Sequence, residues 1–161
     1  MVDQDTKVAL RRHPLLVRLD TEQLARVTAA GEVEQYQSDE VIVSEGSLGD
    51  AMFLVLAGRA AIIKEGAGPR ALAELAAGEF FGEMSLVDAA VRSASVVAVS
   101  EGCRVFRLPN TALRALAEED PRAMNAVLVA IVRVLSDRLR HMNETIAAVA
   151  SLSDWLAGAI I

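Results

Sequence analysis

The stretch FFGEMSLVDAAVRSASV, residues 80–96, combines residue types that could hold a small anion carrying hydroxyl groups. Arg92 offers a planar, charged fork that matches the oxygens of a phosphate. Glu83 would repel a phosphate placed beside it, so its carboxylate is better suited to accept hydrogen bonds from hydroxyls. Gly82 precedes a predicted single turn of helix, where a ligand can approach the backbone and free N–H groups favour an anion. Ser93 adds a hydroxyl beside the arginine.

Each of these residues also has a simpler explanation. Glu83 and Arg92 could form a structural ion pair, and Ser93 could be an ordinary strand residue. For the isolated residues this structural explanation is the more frequent one. Only the whole constellation favours a ligand site, in which the turn interrupts a sheet in order to bind.

The elements that must position these residues change type along the chain. Residues 6–30 are predicted to be helical, with Asp20 or Thr21 as a cap and Gly31 as the end. From 32 to 108, short β-rich runs are separated by glycines at 46, 49, 58, 66, 68, 78 and 102. Many short strands with turn signals at this spacing predict an antiparallel sandwich or barrel.

Helical periodicity returns after the β-rich region. Asp120 and Pro121 predict a helix start, as N-cap and first helical residue. Beyond them, apolar residues alternate at spacings of three and four, which favours a parallel two-stranded coil. A helix packed on its own domain would explain the pattern too, but about three and a half heptads exceed what a small sandwich covers, so we expect a homodimer. The seam residues are Leu128, Val132, Leu135, Leu139, Met142, Ile146 and Val149.

Composition narrows the class of protein. The 161 residues suit one domain, and the net charge of −6 makes a poor free-standing nucleic-acid binder. The single cysteine, Cys103, excludes a disulfide within the chain. There is no signal-peptide pattern and no apolar run of the roughly 18 residues that a membrane span needs. We therefore expect a cytoplasmic protein that binds neither membrane nor nucleic acid through this chain alone.

The segment FGEMSLVDAAVRSASV resembles the phosphate-binding cassette of the cyclic nucleotide-binding domain family. The flanking segments VIVSEGSLGDAMFLVLAGRAAI and LAELAAGEFFGE are similar to the hairpins that precede that cassette, and the resemblance spans roughly residues 14–150. It implies an α+β fold built on an eight-stranded antiparallel β-roll, with N-terminal helices and a long C-terminal dimerisation or lid helix. The implied boundaries are one domain over 1–161, with helices over 1–31, the roll over 32–108, the cassette over 80–96 and helices over 110–161.

The resemblance also implies which residues contact the nucleotide. The cyclic phosphate would be held by Arg92, Ser93 and Ala94. The ribose would lie against Gly82, Glu83, Met84 and Ser85, with Glu83 binding its 2′-hydroxyl. The base would be contacted by Leu72, Ala73, Met142 and Asn143.

The function implied is that of a non-enzymatic receptor without a cofactor. It would bind cAMP, with cGMP as the other possible ligand, and transmit binding through its C-terminal helix to a partner that the sequence does not identify. LSDRLRHMNETIAAVASLSDW resembles the dimer helix of the catabolite activator branch, yet the sequence stops at Ile161 without a helix-turn-helix. The expectation is a stand-alone sensor, with a fragment of a Crp/Fnr-like regulator as the alternative.

Two further classes of protein are less favoured. A domain that keeps the fold but binds no nucleotide is disfavoured by the intact Glu83, Arg92 and Ser93. A metal-dependent enzyme on a similar barrel, such as a cupin, needs histidines inside the barrel, whereas His13 and His141 are predicted outside it.

Overall fold

The computed structural model describes residues 2–66, 71–86 and 91–158. Two short helices come first, a set of antiparallel strands follows, and two helices end the chain. The helices are α1 Gln4–Arg12, α2 Thr21–Ala30, α3 Asn110–Glu119 and α4 Pro121–Gly158. The strands are β1 Glu32–Tyr36, β2 Val41–Val43, β3 Ala51–Ile63, β4 Ala73–Ala76, β5 Phe80–Phe81 and β6 Ser95–Pro109. A 3-10 helix, Glu83–Leu86, follows β5 and is called the cassette turn below.

The N-terminal helical region is divided in two. The predicted helical region over 6–30 consists of two helices, because α1 ends at Arg12 and turns connect it to α2. Pro14 explains the break, since a proline disfavours helical backbone in the residue before it. The predicted cap of α2 is confirmed: the Asp20 carboxylate accepts from the Gln23 N–H while the Gln23 side chain accepts from the Asp20 N–H.

The sheet is antiparallel, in the order β1-β6-β3-β4, with β2 paired to β6 and β5 paired to β3. The predicted strand breaks at Gly58 and Gly102 are wrong, because β3 and β6 each continue through their glycine. Both glycines have positive φ, and a Cβ on Gly58 would lie 2.0 Å from the Gly102 carbonyl oxygen. The register shifts between Gly58 and Arg59, where β6 passes from Cys103 to Val99, so β6 bulges at Gly102 beside Gly58. The expected eight strands therefore appear as six in the described residues.

One apolar cluster fills the space inside the sheet. Phe53 and Phe81 stack there with ring centroids 4.9 Å apart and planes 9° from parallel. Burying side chains of this size contributes roughly 1.5–3 kcal/mol each. The other buried members of the cluster are Ala51, Val55, Ala60, Leu75, Val96, Ala98, Cys103 and Val105. The rigid floor of the cassette is thus β3, through Ala51 and Phe53.

The chain forms two compact units, Met1–Val127 and Leu128–Ile161. Helix α4 starts in the first unit, and its predicted cap is confirmed because the Asp120 carboxylate accepts from the Ala123 N–H at 3.0 Å. In the second unit the helix exposes every predicted seam residue. No helix in the described part of the chain is long and apolar enough to cross a membrane.

Candidate nucleotide site

The residue directly before the cassette turn must be glycine. Gly82 has φ +80°, and a Cβ there would lie 2.6 Å from Arg92 Nη1 and 3.0 Å from the Ala51 carbonyl oxygen. L side chains rarely adopt this backbone conformation, and there is no space for one. The turn consequently packs directly against the arginine guanidinium.

Arg92 is the most buried charged side chain in the cassette, with 8% of its surface exposed. Its Nη2 donates to the Ala51 carbonyl at 2.7 Å and its Nη1 to the Gly82 carbonyl at 3.3 Å. The guanidinium also lies 5.7 Å from the centre of the Phe53 ring. Burial lowers the pKa of Arg92, and the Asp50 carboxylate partly opposes that shift. Arginine nevertheless stays protonated in proteins.

No described carboxylate pairs with this buried cation. Asp50 is a neighbour, but its carboxylate accepts from Arg107 Nη2 at 2.6 Å. Arg107 also lies 3.3 Å from a Glu32 oxygen and 3.9 Å from a Glu34 oxygen, so three carboxylates surround it and Asp50 forms its ion pair there. Arg92 is left with two neutral carbonyl partners among the described residues. A buried cation of this kind favours an anion beside it.

The cassette turn is closed by the Ser85 hydroxyl. Ser85 is buried, and its Oγ donates to the Gly82 carbonyl at 2.8 Å, the same oxygen that Arg92 contacts. A Cβ on Gly49 would lie 2.5 Å from the Ser85 Cβ, so the segment before β3 also packs tightly on the turn. The Ser85 side chain therefore braces the turn from inside.

The other predicted phosphate and ribose residues lie around this turn. Glu83 is half-buried, and its carboxylate raises the pKa of Arg92, the weakest of the effects on that group. Met84 is exposed, and its Sδ lies 3.9 Å from the Ser93 Oγ. The Ser93 carbonyl accepts from Lys64 Nζ at 2.8 Å, and Ala94 is half-buried. The structure thus brings these residues together, while cassette residues 87–90 lie outside the described residues.

The predicted base contacts are divided between the two units. Leu72 and Ala73 are exposed at the start of β4, where the Leu72 N–H donates to the Ile62 carbonyl at 2.8 Å. Met142 and Asn143 are exposed residues of the second unit. All four stay predictions.

Three contacts of the cassette could not be predicted from the motif. Lys64 reaches the Ser93 carbonyl, and Asn110 reaches the carbonyl and hydroxyl of Ser85. The Ala51 carbonyl is the nearest acceptor for Arg92. No sequence signal identifies these residues, because each contact joins segments that are distant along the chain. Only Asn110, directly after the last β-rich run, stands at a predictable strand-to-helix junction.

A cavity of about 750 Å³ lies elsewhere, between α1, α2 and β1. Its walls include Leu24, Ala25 and Val33, with Lys7 and Arg11 at one side. It contains no cassette residue. The cassette is the better candidate for an anionic ligand, because it holds a buried guanidinium whereas the cavity is lined by residues of both charges.

Comparison with known proteins agrees with this geometry. Residues 33–120 match the family model of the cyclic nucleotide-binding domain. An uncharacterized NTE family protein of Mycobacterium tuberculosis is 31% identical over 132 residues, which cover 81% of this chain. The same residues cover only 22% of that relative, so this chain spans about a fifth of its length.

Two solved structures give the fold and its class. The catabolite activator protein of Thermus thermophilus is 32% identical with a TM-score of 0.69, covering 85% of this chain and 63% of that one. The regulatory domain of Toxoplasma gondii PKA, solved with cAMP, is 25% identical with a TM-score of 0.63, covering 71% and 46%. The predicted antiparallel roll with N-terminal helices and a long C-terminal helix is confirmed. The chain belongs to the cyclic nucleotide-binding domain family.

Proposed function

We propose that this chain is a non-enzymatic receptor for cAMP. The observation that carries the proposal is Arg92, a buried guanidinium whose described hydrogen-bond partners are neutral carbonyls. A cyclic phosphate would supply the missing anion, and its two free oxygens match the fork of the guanidinium. A PKA regulatory domain, solved with cAMP, has a similar fold, which supports cAMP as the first ligand to test.

The ribose would lie over the cassette turn. Glu83 opens that turn and is half-buried, so its carboxylate can accept from a 2′-hydroxyl without full exposure to water. Gly82, Met84 and Ser85 would line the sugar, and Ser93 with Ala94 would flank the phosphate. Leu72, Ala73, Met142 and Asn143 are the proposed contacts of the base.

Binding would be passed on through α4. The seven seam residues are exposed and repeat at heptad spacing, which supports a homodimer through this helix. Met142 belongs both to the seam and to the proposed base contacts. A nucleotide can shift the helix only if it binds one helix position better than another, and Met142 offers that difference.

The output would come from another domain or a partner. Relatives such as the NTE family protein are several times longer than the aligned region, so the receptor would regulate an effector domain or a partner protein. The likeness to a catabolite activator protein favours a second candidate, the sensor part of a transcription regulator. Under either candidate, the 161-residue chain alone should not bind DNA sequence-specifically, because its net charge is −6.

Calorimetric titration of the chain with cAMP and with cGMP tests the proposal. Saturable binding of cAMP is expected, and Arg92→Ala should weaken it at least about a hundredfold, roughly 3 kcal/mol. Arg59→Ala is the matched control, because Arg59 is an exposed arginine paired with Glu74 at 3.4 Å. If Arg92→Ala and Arg59→Ala bind cAMP with equal affinity, Arg92 does not bind the phosphate. If the unaltered chain binds neither cAMP nor cGMP, the proposed receptor function is wrong.

A further inference from the structure

Asn110 has an unusual position at the junction of β6 and α3. It is the first residue of α3, and the residue before it, Pro109, forms no side-chain cap. Polar residues at a helix start ordinarily bond to N–H groups of their own helix. The Asn110 side chain instead turns away, and only 8% of the residue is exposed.

The side chain reaches the cassette turn. Asn110 Nδ2 donates to the Ser85 carbonyl at 2.9 Å and to the Ser85 Oγ at 3.2 Å. Ser85 Oγ donates its own hydrogen to the Gly82 carbonyl, which also accepts from Arg92. A continuous series of hydrogen bonds therefore runs from the first residue of α3 to the guanidinium.

The Asn110 end of this series is also held by its backbone. The Asn110 N–H donates to the Asp50 carbonyl at 2.8 Å, which holds the residue to the segment beside β3. The Asn110 Oδ1 is buried and has no hydrogen-bond partner among the described residues. Leaving such an atom unpaired is destabilising, so an asparagine whose only gain was local stability would be a poor choice here. What the amide gains is the pair of bonds to Ser85.

We propose that Asn110 is the positioning residue of the nucleotide site, tying the cassette turn to α3 by donating to Ser85. The inference rests on the proposed nucleotide binding and adds a residue that the cassette motif does not contain. When Asn110 donates, Ser85 stays turned inward, the Gly82 carbonyl stays aimed at Arg92, and the guanidinium is held for the phosphate. A movement of the cassette turn when the nucleotide binds then displaces the start of α3 through this contact.

Asn110→Asp is the sharpest variant, since it keeps the size and replaces the donor by an acceptor. Its carboxylate would face the Ser85 carbonyl, so cAMP affinity should fall about tenfold or more at neutral pH. Asn110→Leu removes the donor without adding charge and should also weaken binding. Asn125→Asp is the matched control, because Asn125 is exposed on α4.

The pH dependence separates positioning from a general structural role. Burial beside the Ser85 carbonyl should raise the pKa of the carboxyl introduced by Asn110→Asp well above the ordinary value of about 3.9. Its protonation restores a donor, so the affinity ratio between this variant and the unaltered chain should approach one from about pH 8 to about pH 5. The ratio for Asn110→Leu should stay constant, and circular dichroism at each pH checks that the protein is folded. A constant ratio for the aspartate variant overturns the donated hydrogen bond.

Hydrogen exchange of the backbone amides, measured without nucleotide, tests the contact between Asn110 and Ser85 separately from nucleotide binding. Both Asn110 variants should exchange faster at Ser85 and Leu86 than the unaltered chain, whether or not cAMP binds. If the unaltered chain binds no nucleotide while exchange responds, the proposed function fails and the contact stands. If the chain binds cAMP and both variants match it in affinity and exchange, the role of Asn110 is overturned.

Discussion

The first unit and the second unit use the same kinds of apolar side chain in opposite ways. In the roll, Phe53, Phe81 and their neighbours are buried against each other. On α4 beyond Leu128, the apolar residues at heptad spacing are exposed. The roll buries these apolar residues within one chain, whereas the helix exposes its own. Apolar composition alone therefore does not distinguish a buried cluster from an exposed one.

The two units also differ in where their charged side chains lie. The roll buries the guanidinium of Arg92 with only carbonyl partners among the described residues, while the second unit keeps its charges at the surface, as in the pair between Arg140 and Asp137. Under the proposed function, an anion would pair with the guanidinium in the roll and a second copy of the helix would cover the exposed apolar residues. Substitutions in one unit can test its proposed contact while leaving the other unit unchanged.

The largest effect is expected at the helix seam. Leu135 is 36% exposed in the single chain and would be buried against its own copy in a parallel dimer. Leu135→Arg would place two like charges in that seam, so the dimer dissociation constant should rise at least about a thousandfold, roughly 4 kcal/mol. Light scattering across a concentration series measures this, and circular dichroism should show an intact roll.

His141→Arg is the control for the seam variant. It adds the same charge on the same helix, but at a side chain that is 85% exposed and outside the seam. The control should remain dimeric. If both variants remain dimeric, the dimer interface does not lie on the seam of α4.

A smaller effect is expected at the ribose side of the cassette. Loss of one hydrogen bond to a carboxylate costs about 1.5–3 kcal/mol, so 2′-deoxy-cAMP should bind the unaltered chain about tenfold or more weakly than cAMP. In Glu83→Ala that difference should disappear. Glu101→Ala, at an exposed residue of β6, should keep it. Calorimetry with both nucleotides decides, and an unchanged difference in Glu83→Ala would remove this residue from the site.

Local signals in the sequence were sufficient for much of the fold. Asp20 and Asp120 were predicted as helix caps because a cap needs only residues a few positions apart, and both carboxylates accept the expected N–H bonds. Gly58 and Gly102 were wrongly predicted to end strands. A glycine with positive φ can end a strand or bend it, and the choice depends on whether the partner strand bulges at the same level.

The site was predictable only as far as its motif extends. The sequence pattern identified Gly82, Glu83 and Arg92 as a group, and the structure brings Arg92 against Gly82. It could not identify the Ala51 carbonyl or Asn110, which contact the cassette from 41 and 25 residues away. Such contacts are fixed by strand register and by the start of α3, and these depend on the packing of the whole roll.

The smallest predicted effect uses the two histidines, one in each unit. His13 is buried; its Nδ1 accepts from the Leu15 N–H at 3.3 Å and its Nε2 donates to the Glu79 carbonyl at 3.2 Å. This arrangement fixes a neutral ring, because Nδ1 must carry a lone pair. Burial lowers the pKa of His13 below its ordinary 6.5, although the bond to the Glu79 carbonyl partly opposes this. His141 is exposed on α4.

The lowered pKa of His13 should make the stability of the roll fall in mild acid. Above the ordinary pKa both the folded and unfolded chains hold a neutral ring, so the stability is fully present. Below it the unfolded chain binds a proton that the folded one excludes, and the free energy of unfolding should fall by at most about 1.4 kcal/mol per pH unit. Urea titrations between about pH 7.5 and about pH 5.5 measure this slope. His13→Gln should flatten it, whereas His141→Gln should not. Equal slopes in all three proteins would mean that His13 binds its proton equally well in the folded and unfolded chains.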